Sequence, residues 1–218
     1  MKFNKSDYTI LIGILGVLII TTGIIIAGNS YLGVSNQKYS VFNHFISELG
    51  EYKYSKLANV FNICLIIGTP PLIYYYLNII PNSSRSVQIL FNLIIISIGG
   101  STISIGIFSM DNTVIHVVLA LIFFYLCFFS SILFNAYALF IYKKKISKYF
   151  ISSSILVSIT TLLNIIQFHQ LDYTIFETLR SRPKLLTICI LEWFSLLAML
   201  IFYINSIIFF KRKNSNYL

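Results

Sequence analysis

The chain has 218 residues, of which 57% are apolar and only 11% are charged. Soluble domains carry roughly 25% charged residues, so this composition excludes a protein that faces water on all sides, and its high hydrophobicity excludes intrinsic disorder. Lys and Arg number 16 against 7 Asp and Glu, for a net charge of +9. These basic residues are scattered between long apolar segments and do not form one soluble basic face, which argues against a nucleic-acid partner.

Six apolar stretches follow one another along the chain, and each is long enough to cross a hydrocarbon core, which takes about 20 residues. The predicted helices cover residues 8–28, 57–79, 87–108, 114–142, 149–168 and 185–210. Continuous apolar runs favour helices over the alternating strands of a membrane barrel. We therefore expect an all-α integral membrane protein, with residues 1–218 forming one bundle of six transmembrane helices. The first helix is expected to be an uncleaved signal anchor, because it exceeds the length of a signal-peptide core.

The distribution of Lys and Arg predicts the orientation of the bundle. Six spans bring both termini to one side, and that side holds ten basic residues: Lys2, Lys5, Arg85, Lys143, Lys144, Lys145, Lys148, Lys211, Arg212 and Lys213. The other side holds six: Lys38, Lys53, Lys56, Arg180, Arg182 and Lys184. By the positive-inside rule both termini should be cytoplasmic. The predicted location is the plasma membrane of a prokaryote.

Small residues and prolines inside the predicted helices indicate how the helices pack. Gly16 and Gly23 should allow close contact of the first helix with a neighbour, and the Pro70–Pro71 pair should kink the second. The three cysteines fall singly in the second, fourth and sixth helices, which is typical of packing residues and not of a disulfide framework.

The histidines and most of the acids gather on the predicted outer side. Three pairs result: His44 with Glu48, Asp111 with His116, and His169 with Asp172. Imidazole and carboxylate together suit zinc or another divalent metal, so His44, His116 and His169 are candidate metal ligands. A structural polar cluster and a non-metal ligand site are the alternatives, and the pair Asp111–Asn112 is also placed to cap the fourth helix. No cofactor is predicted from a motif.

Glu192 is the one acid that lies well inside a predicted helix. An intramembrane carboxylate is costly and faces the bundle interior or water, so a functional role is a natural hypothesis. A buried structural hydrogen bond, for example to Lys56, Arg182 or a histidine, is the competing interpretation.

Several short motifs resemble a known family. They are Phe-Ile-Ser-Glu-Leu-Gly at 45–50, Ala-Asn-Val-Phe-Asn at 58–62, Gly-Ile-Phe-Ser-Met-Asp at 106–111 with His116 after it, and Leu-Glu-Trp at 191–193. Together they resemble the prokaryotic membrane family called domain of unknown function 998, and the related superfamily of DRAM, Sfk and Frag proteins. The residues that match these patterns are Ser47, Glu48, Gly50, Asp111, His116 and Glu192.

The resemblance implies a six-helix membrane protein, with roles around lipid remodelling and distribution in the eukaryotic relatives. We therefore expect a membrane lipid as partner, bound or organised in a cavity that opens to the non-cytoplasmic side through Ser47, Glu48, Asp111, His116 and Glu192. One alternative is a lipid-modifying enzyme, possibly metal-assisted, with catalytic candidates Glu48, Asp111, His116 and Glu192. The other is a transporter of a small solute or of protons that uses Glu192.

Overall fold

A computed structural model of the chain describes residues 5–33, 36–79, 84–140, 147–170 and 183–215. These residues form six α-helices: α1 (Lys5–Ser30), α2 (Ala58–Ile79), α3 (Arg85–Ile107), α4 (Thr113–Phe140), α5 (Lys148–Gln170) and α6 (Thr187–Ser215). All six are long and apolar enough to cross a membrane. The predicted all-α architecture of six spans is confirmed, and the chain is a multi-pass membrane protein.

The helix ends differ from the predicted ends by a few residues. The largest difference is in α6, which continues to Ser215 although its apolar run stops near residue 210. Apolar runs report the part of a helix that lies in hydrocarbon, whereas backbone hydrogen bonding continues the helix into the polar region. The predicted end of the fourth helix at residue 142 lies outside the described residues.

Close helix contacts form where the sequence carries glycine. A Cβ on Gly16 of α1 would lie 2.7 Å from the carbonyl oxygen of Gly68 in α2, and one on Gly23 would meet the side chain of Cys64. These two glycines therefore let α1 and α2 approach closely, as predicted. Along the rest of the chain each helix packs against the next, and α2 remains one helix through Pro70 and Pro71.

The two ends of the bundle are packed differently. At the end where α2 finishes, which we call the terminal end, aromatic side chains fill the space between helices. Tyr75 and Tyr203 meet with ring centroids 5.0 Å apart, and Phe150 stacks on Phe202 at 4.9 Å. We call the opposite end the loop end, because the connection from α1 to α2 folds onto it.

This connection, residues 31–57, is the outer loop. It contains a short 3-10 helix, Ile46–Gly50, and a single backbone bridge between Tyr31 and Ser55. Several of its residues are as buried as the helix core; Leu49 and Glu48 are 0% and 1% exposed. The outer loop is thus a packed part of the bundle, and it carries part of the candidate site.

Candidate functional site

Glu48 is buried inside the outer loop and is held by local hydrogen bonds. Its Oε1 accepts the backbone N–H of Phe45 at 2.8 Å, and its Oε2 accepts the hydroxyl of Tyr31 at 2.9 Å. The first bond caps the 3-10 helix, since Phe45 is the residue that precedes it. His44, which the sequence pairs with Glu48, lies before this helix, because the 3-10 helix begins only at Ile46.

Glu192, in the second turn of α6, joins this helix to the outer loop. Its Oε2 accepts the backbone N–H of Ile46 at 2.7 Å. The predicted partners were basic side chains or a histidine, of which Arg182 lies outside the described residues. Glu48 and Glu192 therefore bind the N–H groups of two consecutive residues, Phe45 and Ile46.

Asp111, which lies in the connection between α3 and α4, also binds the outer loop. Its carboxylate accepts the backbone N–H groups of Tyr52 at 2.8 Å and Lys53 at 3.2 Å, and the hydroxyl of Ser109 at 2.8 Å. α4 begins at Thr113, directly after Asn112, and the capping role predicted for Asp111 and Asn112 stays a prediction.

His116 and Glu192 line one small cavity together with Ser47. The cavity has a volume of about 10 Å³, which is about what a single water molecule needs. Apolar side chains complete its wall: Phe45, Met110, Val117, Ala120 and Phe168. The site residues predicted from the sequence therefore form two groups. Ser47, His116 and Glu192 line the cavity, whereas Glu48 and Asp111 bind backbone N–H groups of the outer loop.

The side chain of His116 has a defined orientation in this wall. His116 is 3% exposed, and its Nδ1 lies 2.7 Å from the carbonyl oxygen of Phe108. A carbonyl only accepts hydrogen bonds, so Nδ1 carries the proton, and in the neutral imidazole Nε2 carries the lone pair. Ser47 does not bond to His116, because its hydroxyl donates to the sulfur of Met110 at 3.8 Å.

The three histidines do not meet. His44 packs between Tyr31 and Tyr39, with ring centroids 5.2 and 5.3 Å away, and His169 bonds the hydroxyl of Tyr125 at 2.8 Å on an exposed face. Its predicted companion Asp172 lies outside the described residues. Among the residues that the structure describes, no three His, Cys, Asp or Glu side chains are grouped to hold a metal ion.

Tyr39 belongs to the site although no feature of the sequence selects it. Its hydroxyl donates to the carbonyl of Phe45 at 2.9 Å, and its ring meets that of Trp193 at 6.1 Å. Burial, followed by the nearby carboxylates of Glu192 and Glu48, raises the pKa of Tyr39 well above its usual value. The hydroxyl is therefore neutral and available as a hydrogen-bond donor. A tyrosine in a loop sequence carries no signal of such a position.

Comparison with known proteins identifies the family. A model described as "protein of unknown function (DUF998)" matches residues 14–204, so the chain belongs to the DUF998 family. No curated protein and no solved structure matches the chain. The predicted link to the DRAM, Sfk and Frag superfamily stays a prediction.

Proposed function

We propose that this member of the DUF998 family binds a membrane lipid at the loop end of its helix bundle. The observation that carries the proposal is the cavity in which Ser47, His116 and Glu192 meet apolar side chains of α4 and α5. A lipid presents the same combination, since a polar headgroup adjoins apolar chains at the level where helices leave the hydrocarbon.

The polar groups of the cavity favour a headgroup that donates hydrogen bonds. The Glu192 carboxylate and the His116 Nε2 lone pair are both acceptors. An amine or hydroxyl group on the lipid would complement them. The apolar wall, with Val117 and Ala120 of α4 and Phe168 of α5, suits the first methylene groups of the chains.

The cavity must widen to admit such a group, because it now has room for about one water molecule. Hydrogen bonds fasten the segment that covers it to α6 and to the residues just before α6. Besides Ile46 with Glu192, the N–H of Leu186 donates to the carbonyl of Phe42 at 2.8 Å, and the Asn43 amide donates to the carbonyl of Pro183 at 3.1 Å. We infer that lipid entry moves this segment of the outer loop away from α6.

Filling the cavity tests the proposal. The Ala120→Leu variant adds three carbon atoms to the cavity wall, which leaves no room for a headgroup. Gly100→Leu on α3 is the matched control, because a Cβ at Gly100 meets nothing within 4 Å. The measurement is mass spectrometry of lipid retained by each purified variant after extensive detergent exchange.

We expect the wild-type protein and Gly100→Leu to retain lipid with an amine or hydroxyl headgroup. Ala120→Leu should retain about tenfold less, a loss of about 1.4 kcal/mol in binding. Equal retention by the two variants, or no retention by the wild type, contradicts the proposal. Chemically altered lipid among the retained species would instead support the lipid-modifying enzyme, with His116 as general base.

A further inference from the structure

Three exposed apolar side chains lie together at the loop end, where the outer loop meets the residues just before α6. We call them the apolar patch; they are Val41, Phe42 and Leu185. Phe42 is 55% exposed and Leu185 is 65% exposed. A single exposed apolar side chain is common on any protein, but three at one place on connecting segments indicate a surface that contacts an apolar environment.

A tight turn of the outer loop separates the buried from the exposed side chains of this segment. The backbone N–H of His44 donates to the carbonyl of Ser40 at 2.9 Å, which closes one turn of the chain. His44 and the residue after it, Phe45, are buried, whereas Val41 and Phe42 are exposed. The turn therefore has one side that packs into the loop end and one apolar side that the described part of the chain leaves uncovered.

Two hydrogen bonds hold this turn beside the residues that lead into α6. The carbonyl of Phe42 accepts the N–H of Leu186 at 2.8 Å, and the Asn43 amide donates to the carbonyl of Pro183 at 3.1 Å. Leu185 lies between Pro183 and Leu186 in the chain. These bonds therefore bring the backbone of Leu185 next to that of Phe42, and the two exposed side chains belong to one surface.

The length of α6 gives the level of this surface in a membrane. The span Thr187–Phe209 has 23 residues, or about 34 Å at 1.5 Å per residue, and a hydrocarbon core is about 30 Å thick. A span of this length places its first residue close to the boundary of the hydrocarbon. Leu185 precedes the span by two residues, so the apolar patch lies at the level where hydrocarbon meets the lipid headgroups.

We propose that the apolar patch inserts into the membrane leaflet at the loop end and anchors the outer loop there. Segments that lie in this boundary combine Phe and Leu with Lys, because the apolar side chains bury among the first methylene groups while the ammonium group stays near lipid phosphate. Lys184 is exposed and directly precedes Leu185. The level of the patch and the charge of Lys184 together favour a lipid leaflet over a protein as its partner.

The insertion has a consequence for the cavity, and this consequence alone rests on the proposed function. Phe45, which lines the cavity, follows the turn that carries Val41 and Phe42. The segment that covers the cavity is thus anchored in the leaflet beside it. A lipid that enters when this segment moves therefore comes from that leaflet and does not cross water.

The fluorescence of a single tryptophan tests the insertion. Trp193 is the one tryptophan of the chain, so a Trp193→Phe background makes each added tryptophan the sole reporter. Phe42→Trp and Leu185→Trp place the reporter in the apolar patch. Tyr52→Trp is the matched control, since Tyr52 is also 55% exposed on the outer loop but lies between Glu51 and Lys53. Phe194→Trp, at a 53% exposed position inside the α6 span, is the reference for hydrocarbon.

Each variant is reconstituted in vesicles of phosphatidylcholine and phosphatidylglycerol whose acyl chains carry bromine at one known depth. Bromine quenches a tryptophan that lies among the chains at that depth, and added acrylamide quenches one that is in contact with water. A series of vesicles with bromine at different depths therefore gives the depth of each reporter.

We expect the reporters of Phe42→Trp and Leu185→Trp to lie about 5–10 Å into the boundary, quenched by bromine near the headgroup end of the chains and not by acrylamide. The Phe194→Trp reporter should be deeper, and the Tyr52→Trp reporter should respond to acrylamide alone. If one patch variant does not fold, the other gives the same test.

Three results overturn the proposal. Quenching of the patch reporters by acrylamide alone means that water covers the patch, and quenching by neither agent means that protein covers it. Equal depths for Phe42→Trp and Tyr52→Trp mean that insertion does not depend on the apolar patch. Because the reporters sense the surrounding leaflet and not the cavity, the outcome is independent of lipid retention by Ala120→Leu, so failure of the anchor and failure of the lipid site can be told apart.

Discussion

The loop end and the terminal end of the bundle are held together by different kinds of side chain: carboxylates at the loop end and aromatic rings at the terminal end. At the terminal end, the described residues that pack together belong to helices, whose backbone groups are already paired, and aromatic side chains such as Tyr75 and Phe202 fill the space between them. At the loop end a non-helical segment is buried, and its N–H groups need acceptors. Glu48, Glu192 and Asp111 provide them for Phe45, Ile46, Tyr52 and Lys53; each bond is at most 3.2 Å long.

This difference explains where the scarce acids of the chain are placed. A carboxylate accepts hydrogen bonds from charged or neutral donors more strongly than a carbonyl does. Glu192 and Asp111 fasten the outer loop to α6 and to the α3–α4 connection, whereas Glu48 joins residues within the loop. Glu192 also lines the cavity. The same side chain therefore binds the outer loop and belongs to the candidate site.

The largest expected effect comes from removing Glu48. Glu48→Ala leaves the N–H of Phe45 and the hydroxyl of Tyr31 without their acceptor in a buried position. We expect a loss of about 2–4 kcal/mol in unfolding free energy, measured by denaturant titration in detergent. Glu48→Gln keeps one carbonyl acceptor and should lose about 1 kcal/mol. If Glu48→Ala unfolds like the wild type, carboxylates do not hold the loop end together.

Gly50 tests how tightly the outer loop packs on α2. A Cβ at this position would lie 2.9 Å from Cδ1 of Phe61 and would also strike the Asn62 side chain, which donates to the Gly50 carbonyl at 2.9 Å. Gly50→Ala should therefore destabilise the protein by about 1–3 kcal/mol in the same titration.

Gly28→Ala is the control for that substitution. Gly28 lies in the last turns of α1, and its Cβ would be 4.0 Å from Leu49, an ordinary contact. Alanine is the better helix former, so this variant should be neutral or more stable by up to about 1 kcal/mol. A similar loss in both variants would mean that the packing of the loop on α2 is not specific.

Asp111→Ala should have a smaller and local effect, because the carboxylate binds Tyr52 and Lys53 at an exposed position. We expect a loss of about 1 kcal/mol, and faster hydrogen exchange at the amides of these two residues. Asp111→Asn keeps one acceptor and should fall between the wild type and Asp111→Ala. Unchanged exchange at both amides would separate Asp111 from the fastening of the outer loop.

The sequence predicts the helices of this molecule better than it predicts the hydrogen bonds of the candidate site. The six spans follow from apolar length alone, and the close approach of α1 to α2 follows from Gly16 and Gly23. Glu48, Asp111 and Glu192 could be selected because charged residues are rare in such a chain. Their partners could not be predicted, because they are backbone N–H groups and every residue except proline carries one.

The sequence could not predict that the Oδ1 of Asn164 has no hydrogen-bond partner, for a related reason. The residue type indicates an interhelical hydrogen bond, and the bonds to Leu191 and Ser195 confirm it. Whether both halves of an amide are satisfied depends on the atoms that happen to surround it in the packed bundle. Only the packed structure shows that the Oδ1 of Asn164 accepts no hydrogen bond.

The smallest expected effect is at the terminal end, where two buried tyrosines differ in one hydrogen bond. The hydroxyl of Tyr75 lies 2.7 Å from that of Ser206, whereas the hydroxyl of Tyr203 has no partner. Tyr75→Phe should lose about 0.6 kcal/mol, the average for a polar contact in a membrane bundle. Tyr203→Phe removes an unsatisfied group and should be neutral or slightly stabilising. Because both variants keep the aromatic ring, thermal unfolding of the pair in one detergent isolates the hydroxyl groups. A loss from Tyr203→Phe as large as that from Tyr75→Phe would mean that the terminal end also depends on polar contacts, and the contrast with the loop end would then be one of degree.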